Sequence, residues 1–135
     1  MGRKKICRLI YLLLVLFIVN VAHADEGIVP YYAYTSSISA SLSINGAVAR
    51  AAGKITPENS LHTSITVRLQ KESSSGAWST ISTWTGSNTS GKSEAGGTKV
   101  IASGYKYRVY VTGKVYNSAG SVIETVNKYS AVKSY

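Results

Sequence analysis

The sequence predicts an all-β protein, an antiparallel β-sandwich of about seven strands, from three observations. Apolar and polar residues alternate with period two through most of the chain after residue 36. Clusters of Gly, Asn, Pro and Ser separate the alternating runs at the spacing of an antiparallel sandwich. Beyond the first 24 residues no segment shows the apolar stripe of an amphipathic helix.

The chain opens on a different pattern. Arg3-Lys4-Lys5 and Arg8 precede an apolar run from Leu9 to Val19, and the segment closes on Ala22-His23-Ala24. A basic region, an apolar region and small residues at the cleavage positions are the layout of a secretory signal peptide. Residues 1–24 are therefore expected to be cleaved after Ala24, and the protein to be secreted to the extracellular space or cell envelope. Even extended to Val21 the apolar run covers 13 residues, short of the ~20 a spanning helix needs. No transmembrane segment is expected in the mature chain.

Cleavage also changes the chemistry available. It removes Cys7, the only cysteine, so the mature chain can form no disulfide and use no thiol. Four of the 15 Lys and Arg residues leave with it, so 11 remain against 6 acids, a net +5 rather than +9. That bias favours anionic surfaces and makes no case for a nucleic-acid partner. The remaining 111 residues (135 less the 24 of the leader) are enough for one disulfide-free core.

Residues 25–35 read as a lead-in containing Pro30, Tyr31, Tyr32 and Tyr34, ahead of a sandwich domain over 36–135. Ile38, Ala40, Leu42 and Ile44 alternate with serines, the pattern of a half-buried strand. Asn45-Gly46 then tolerates the positive φ of a tight hairpin, and the small-residue run from Ala47 to Ile55 returns against something bulky. Thr56-Pro57-Glu58-Asn59 is a turn. Leu61, Thr63, Ile65, Val67 and Leu69 face one way and His62, Ser64, Thr66, Arg68 and Gln70 the other, the clearest strand in the chain. Lys71 to Gly76 is a loop before a Thr-, Ile- and Trp-rich strand over 78–85. Gly86 to Gly97, rich in Ser, Gly and Asn, is expected to be a mobile loop, and Lys99 to Ala102 a short strand. Tyr105, Tyr107, Val109, Val111, Gly113 and Val115 alternate with Lys106, Arg108, Tyr110, Thr112, Lys114 and Tyr116 in a long strand. Asn117 to Gly120 turns the chain into a last strand over 121–126.

Catalysis has little to work with. After the leader there is one histidine, His62, and the acids are Asp25, Glu26, Glu58, Glu72, Glu94 and Glu124, scattered or terminal. A Ser-His-Asp relay needs a buried acid to orient the histidine, and a zinc site needs three or four convergent ligands. Neither can be assembled, and no acidic calcium loop is present. The expected protein is not an enzyme and carries no cofactor or metal.

Two groups of residues point to binding. In a regular strand Trp78 and Trp84 would share a face about 20 Å apart at ~3.3 Å per residue, a platform for sugar rings. The alternative is that tryptophan fills the core of a mature chain without phenylalanine, packing over the Ala47 to Ala52 strand. The second group is the polar face of the long strand, where Lys106, Arg108, Tyr110, Lys114 and Tyr116 interleave cations with aromatics, with Arg68 on the neighbouring strand. Such a stripe could hold an anionic polymer by charge neutralisation and hydroxyl hydrogen bonds. It could equally be a solvated sheet face that discourages edge association.

Ile101-Ala102-Ser103-Gly104-Tyr105-Lys106-Tyr107-Arg108-Val109 resembles the tyrosine-corner segment of fibronectin type III-like domains, with Ser103 where proline is usual. The resemblance implies that the Tyr107 hydroxyl bonds upstream backbone. With Val67-Arg68-Leu69-Gln70-Lys71, Gly76-Ala77-Trp78 and Ser82-Thr83-Trp84, the mature chain is also similar to small secreted bacterial proteins of uncharacterised function. That likeness implies secretion and an immunoglobulin/fibronectin type III-like sandwich, and supplies no site residues. In a bacterial setting the sequon Asn88-Thr89-Ser90 carries no glycan. The leading expectation is a non-enzymatic interaction module associating with the cell envelope or with an anionic wall polymer, polysaccharide or protein partner. A structural subunit assembling through edge strands or tails is the alternative, and a carbohydrate-binding module using Trp78 and Trp84 a further one.

Overall fold

The serine-aliphatic alternation that opens the domain forms strand β1 (Thr35–Asn45), and the small-residue run returns beside it as β2 (Val48–Pro57). The computed structural model describes residues 32–135; the expected leader, its cleavage after Ala24 and most of the lead-in lie outside the described residues. The register pairs Asn45 with Val48, so the two turn residues are Gly46 and Ala47, with Gly46 at φ 58°. The turn thus sits one residue later than Asn45-Gly46. A positive φ at its first position alone is the type II′ hairpin, which needs glycine there.

The remaining strands are β3 (His62–Glu72), β4 (Trp78–Asn88), β5 (Ser93–Val100), β6 (Lys106–Tyr116), β7 (Val122–Tyr129) and the two-residue β8 (Lys133–Ser134). One sheet runs β1-β2-β5; the other runs β4-β3-β6-β7, with β8 pairing β6. Every pairing is antiparallel. The alternate residues Ile65, Val67 and Leu69 of β3 and Val109, Val111 and Val115 of β6 meet Leu42, Ala51 and Ile55 of the other sheet in one buried core. The result is a β-sandwich-like, all-β arrangement, and no helix among the described residues is long and apolar enough to cross a membrane.

Two expectations are corrected here. The segment from Gly86 to Gly97 is no mobile loop: β4 runs on to Asn88, and β5 begins at Ser93 and pairs with β2 along its length. The glycines that suggested a loop permit close approach instead. A Cβ on Gly97 would stand 2.7 Å from Cε2 of the Trp84 indole, and one on Gly96 would strike the Ala51 carbonyl. The link between β4 and β5 is held by Thr63, whose buried hydroxyl donates to the Gly91 carbonyl at 2.6 Å, while Ser93 Oγ donates back to the Thr63 carbonyl at 3.0 Å. Tyr105, expected to face inward, precedes β6 and is exposed.

Tyr107 is fully buried, and its hydroxyl donates to the Ala102 carbonyl at 2.6 Å, five residues upstream. Burial, which disfavours the phenolate, pushes its phenol above the ordinary value of 10.0. Below pH 10.0 both folded and unfolded chains keep the proton and the stabilisation is complete. As pH climbs toward the raised folded value the unfolded chain ionises first, and stability falls. Tyr107→Phe is expected to cost about 1 kcal/mol at neutral pH and to remove this component of the alkaline decline. Urea titrations at pH 7 and on either side of pH 10 measure both. A variant as stable as the parent, with an unchanged alkaline limb, would mean the bond stabilises nothing.

Candidate functional site

β6 alternates strictly, so its buried face commits Lys106, Arg108, Tyr110, Thr112, Lys114 and Tyr116 to the outer face of its sheet. The same logic on β3 puts His62, Ser64, Thr66, Arg68 and Gln70 beside them, with Arg68 opposite Tyr110 and Gln70 opposite Arg108. The edge strand β4 does not alternate strictly. Leu69 pairs with Ser82 and Gln70 with Thr80, which leaves Ile81 as an extra residue in a bulge. Trp84 pairs with the inward-facing Val67, whereas Trp78 pairs with Glu72 on the outer face. The two tryptophans therefore sit on opposite faces of the sheet. Trp84 packs on the core and lies over Gly97 of β5, beside the small-residue strand β2. The two-tryptophan sugar platform does not form.

What the bulge delivers outward is a partner for arginine. The Arg108 guanidinium carbon lies 4.2 Å from the centre of the Trp78 ring and 4.4 Å from that of Tyr129. Tyr129 stacks on Tyr110 at 4.5 Å, 15° from parallel, and Arg68 lies over Tyr110 at 5.3 Å. Each contact of this kind contributes about 0.5–1 kcal/mol at an exposed site. Together they hold five side chains from four strands in a ladder, Trp78-Arg108-Tyr129-Tyr110-Arg68.

Hydrogen bonds fix the ladder from its sides. Arg108 Nε donates to Gln70 Oε1 at 2.8 Å, and Arg68 donates through Nη1 to Thr112 Oγ1 at 3.0 Å. Asn127 Oδ1 accepts from both Thr112 Oγ1 at 2.9 Å and the Tyr110 hydroxyl at 3.0 Å. These bonds use one nitrogen of each guanidinium; the other nitrogens make no side-chain hydrogen bond among the described residues, and both arginines are half-buried. Among the described residues neither arginine makes an ion pair; the ion pairs there join Glu94 to Lys54 and Lys92, which belong to β2, β5 and the turn before β5. A guanidinium whose face is stacked and whose edge is free is preorganised for an oxyanion.

Lys106 and Lys114 flank the ladder and are exposed. Tyr116 stands apart at the far end of β6, stacked on His62 at 4.4 Å and bonded to Ser64 at 2.9 Å. Of the expected site residues, Arg68, Arg108, Tyr110 and Trp78 come together, Lys106, Lys114 and Tyr116 line the same face, and Trp84 does not. Tyr129, Gln70 and Asn127 were absent from the sequence-derived set. Tyr129 falls in what reads as a tail, and a second bulge, between Val115 and Tyr116 in the pairing with β7, breaks the alternation that would have placed it.

Among the described residues no three His, Cys, Asp or Glu side chains converge as metal ligands. The hollow beside Tyr105 and Lys106 contains one acidic side chain, Glu72, and a shallow hollow on the other sheet contains one, Glu94. Glu124 spends its carboxylate on the backbone amides of Ala33 and Tyr34, at 2.9 and 3.2 Å, tying β7 to the approach to β1. No protein-family model matches the chain, and no curated protein does.

Proposed function

We propose that the exported chain is a non-enzymatic binding module that associates with an anionic polymer of the cell envelope or extracellular space through the outer face of the β4-β3-β6-β7 sheet. The observation that carries the reading is the ladder. Two half-buried arginines with no carboxylate partner among the described residues are held by aromatic stacking between two exposed lysines. An acidic polysaccharide fits this face twice over, with carboxylates for the guanidinium edges and sugar rings for the exposed margins of the tyrosines and Trp78. The strand order and the Tyr107 bond to Ala102 support the finer fold assignment, immunoglobulin/fibronectin type III-like.

The test is sedimentation of residues 25–135 with polygalacturonate and, separately, with poly(glycerol phosphate). Retention on at least one polymer is expected to weaken as salt rises. Arg68→Gln with Arg108→Gln is expected to reduce affinity by at least tenfold, about 1.4 kcal/mol, with the thermal midpoint little changed. Adding Lys106→Gln and Lys114→Gln is expected to abolish retention. Undiminished, salt-insensitive retention by the quadruple variant would overturn the assignment of this face.

A further inference from the structure

Of the four sheet edges formed by the described strands, three carry a device against the addition of another strand. β4 is bulged at Ile81, β7 is bulged and carries Lys128, and β5 carries Glu94 and Lys99. Charges and bulges are the usual protections of an edge. β1 has neither along Ser37–Asn45: it holds no charged residue and no proline, and its single irregularity lies between Thr35 and Ser37, before that stretch. Among the described strands its only hydrogen-bonded neighbour is β2.

The hairpin geometry identifies which groups face outward along this edge. In a two-residue turn the flanking pair, Asn45 and Val48, exchanges both backbone hydrogen bonds, and bonded and non-bonded pairs then alternate. Ser43, Ser41 and Ser39 therefore bond to β2, while the N–H and C=O of Ile44, Leu42, Ala40 and Ile38 point away from it. The side chains of Ile38, Ala40 and Ile44 pack on the core yet are only half-buried, and no described strand pairs with the open side.

We propose that β1 pairs with β1 of a second copy of this chain, antiparallel about a two-fold axis at Ser41, joining the two three-stranded sheets into one of six strands. The strand is its own complement in that register. Ser41 meets Ser41, Ala40 meets Leu42, Ser39 meets Ser43 and Ile38 meets Ile44, so hydroxyls face hydroxyls, aliphatics face aliphatics and no charge meets another. The four outward-facing residues of each copy then form bonded pairs, about eight backbone hydrogen bonds in all. An isologous contact of this kind closes at two copies. An axis normal to the sheet also leaves both arginine-aromatic ladders on the same side of the dimer, where one polymer could engage both. The pairing itself does not depend on the polymer reading.

Sedimentation velocity on residues 25–135, which contain every described strand and core residue, tests it without any ligand. A dimer that dissociates on dilution is expected. Ser39→Lys with Ser41→Lys places like charges across the axis on an exposed face, and is expected to weaken dimerisation at least tenfold with an unchanged thermal midpoint. Ala40→Pro removes an outward-facing N–H while sparing the bonds to β2, and is expected to do the same. A parent chain that stays monomeric at all concentrations, or a dimer that survives both variants, would overturn the proposal.

Discussion

Gly53→Val is expected to destabilise the protein by about 3 kcal/mol, the upper part of the range for overpacked cores. Gly53 lies in β2, the central strand of its sheet, and faces inward. A Cβ there would stand 2.7 Å from Cγ2 of both Val111 and Val67, two side chains with no exposed surface of their own. Neither methyl has space to retreat into, so relief must come from separating the sheets, which costs contacts along the whole interface. The backbone at Gly53 is ordinary extended strand, so the penalty is one of volume and not of dihedral strain. A denaturant titration reads the loss as a lower midpoint with an unchanged slope. Val111→Ala in the same chain is expected to restore part of the loss, although alone it destabilises. Contacting pairs show such non-additivity. A Gly53→Val protein as stable as its parent would mean that the sheets do not meet at this glycine.

The glycines also mark where the sequence was legible and where it was not. β1, β3 and β6 could be read residue by residue because one face of each is buried and the alternation follows directly from that burial. β5 could not. Its Gly96 and Gly97 have low intrinsic preference for strands, and their reason for being there lies in other elements, the Ala51 carbonyl and the Trp84 ring. The candidate site divides in the same way. Arg68, Arg108 and Tyr110 lie on regular strands and could be placed on one face from spacing alone. Trp78 and Tyr129 could not, because each lies beyond a bulge, and a bulge is a property of two strands in register that neither strand's sequence displays by itself. The ladder's central feature, one guanidinium between an indole and a phenol, is a product of both irregularities.

That geometry separates the two tryptophans experimentally. Trp84→Ala removes a ring packed on the core and empties the space over Gly97, and is expected to cost about 3 kcal/mol. Trp78→Ala removes one stacking partner of Arg108 from an outer face. It is expected to change stability by no more than about 1 kcal/mol while weakening retention on the anionic polymer severalfold, because the guanidinium loses one of the two rings that hold it in place. A regular β4 strand would predict the same behaviour for both positions, since residues six apart would share a face. Urea titration of each variant beside its polymer sedimentation therefore tests the bulge at Ile81 as well as the ladder. A Trp78→Ala chain as destabilised as Trp84→Ala would place both rings in the core, and Arg108 would then have to be held by Tyr129 and Gln70 alone.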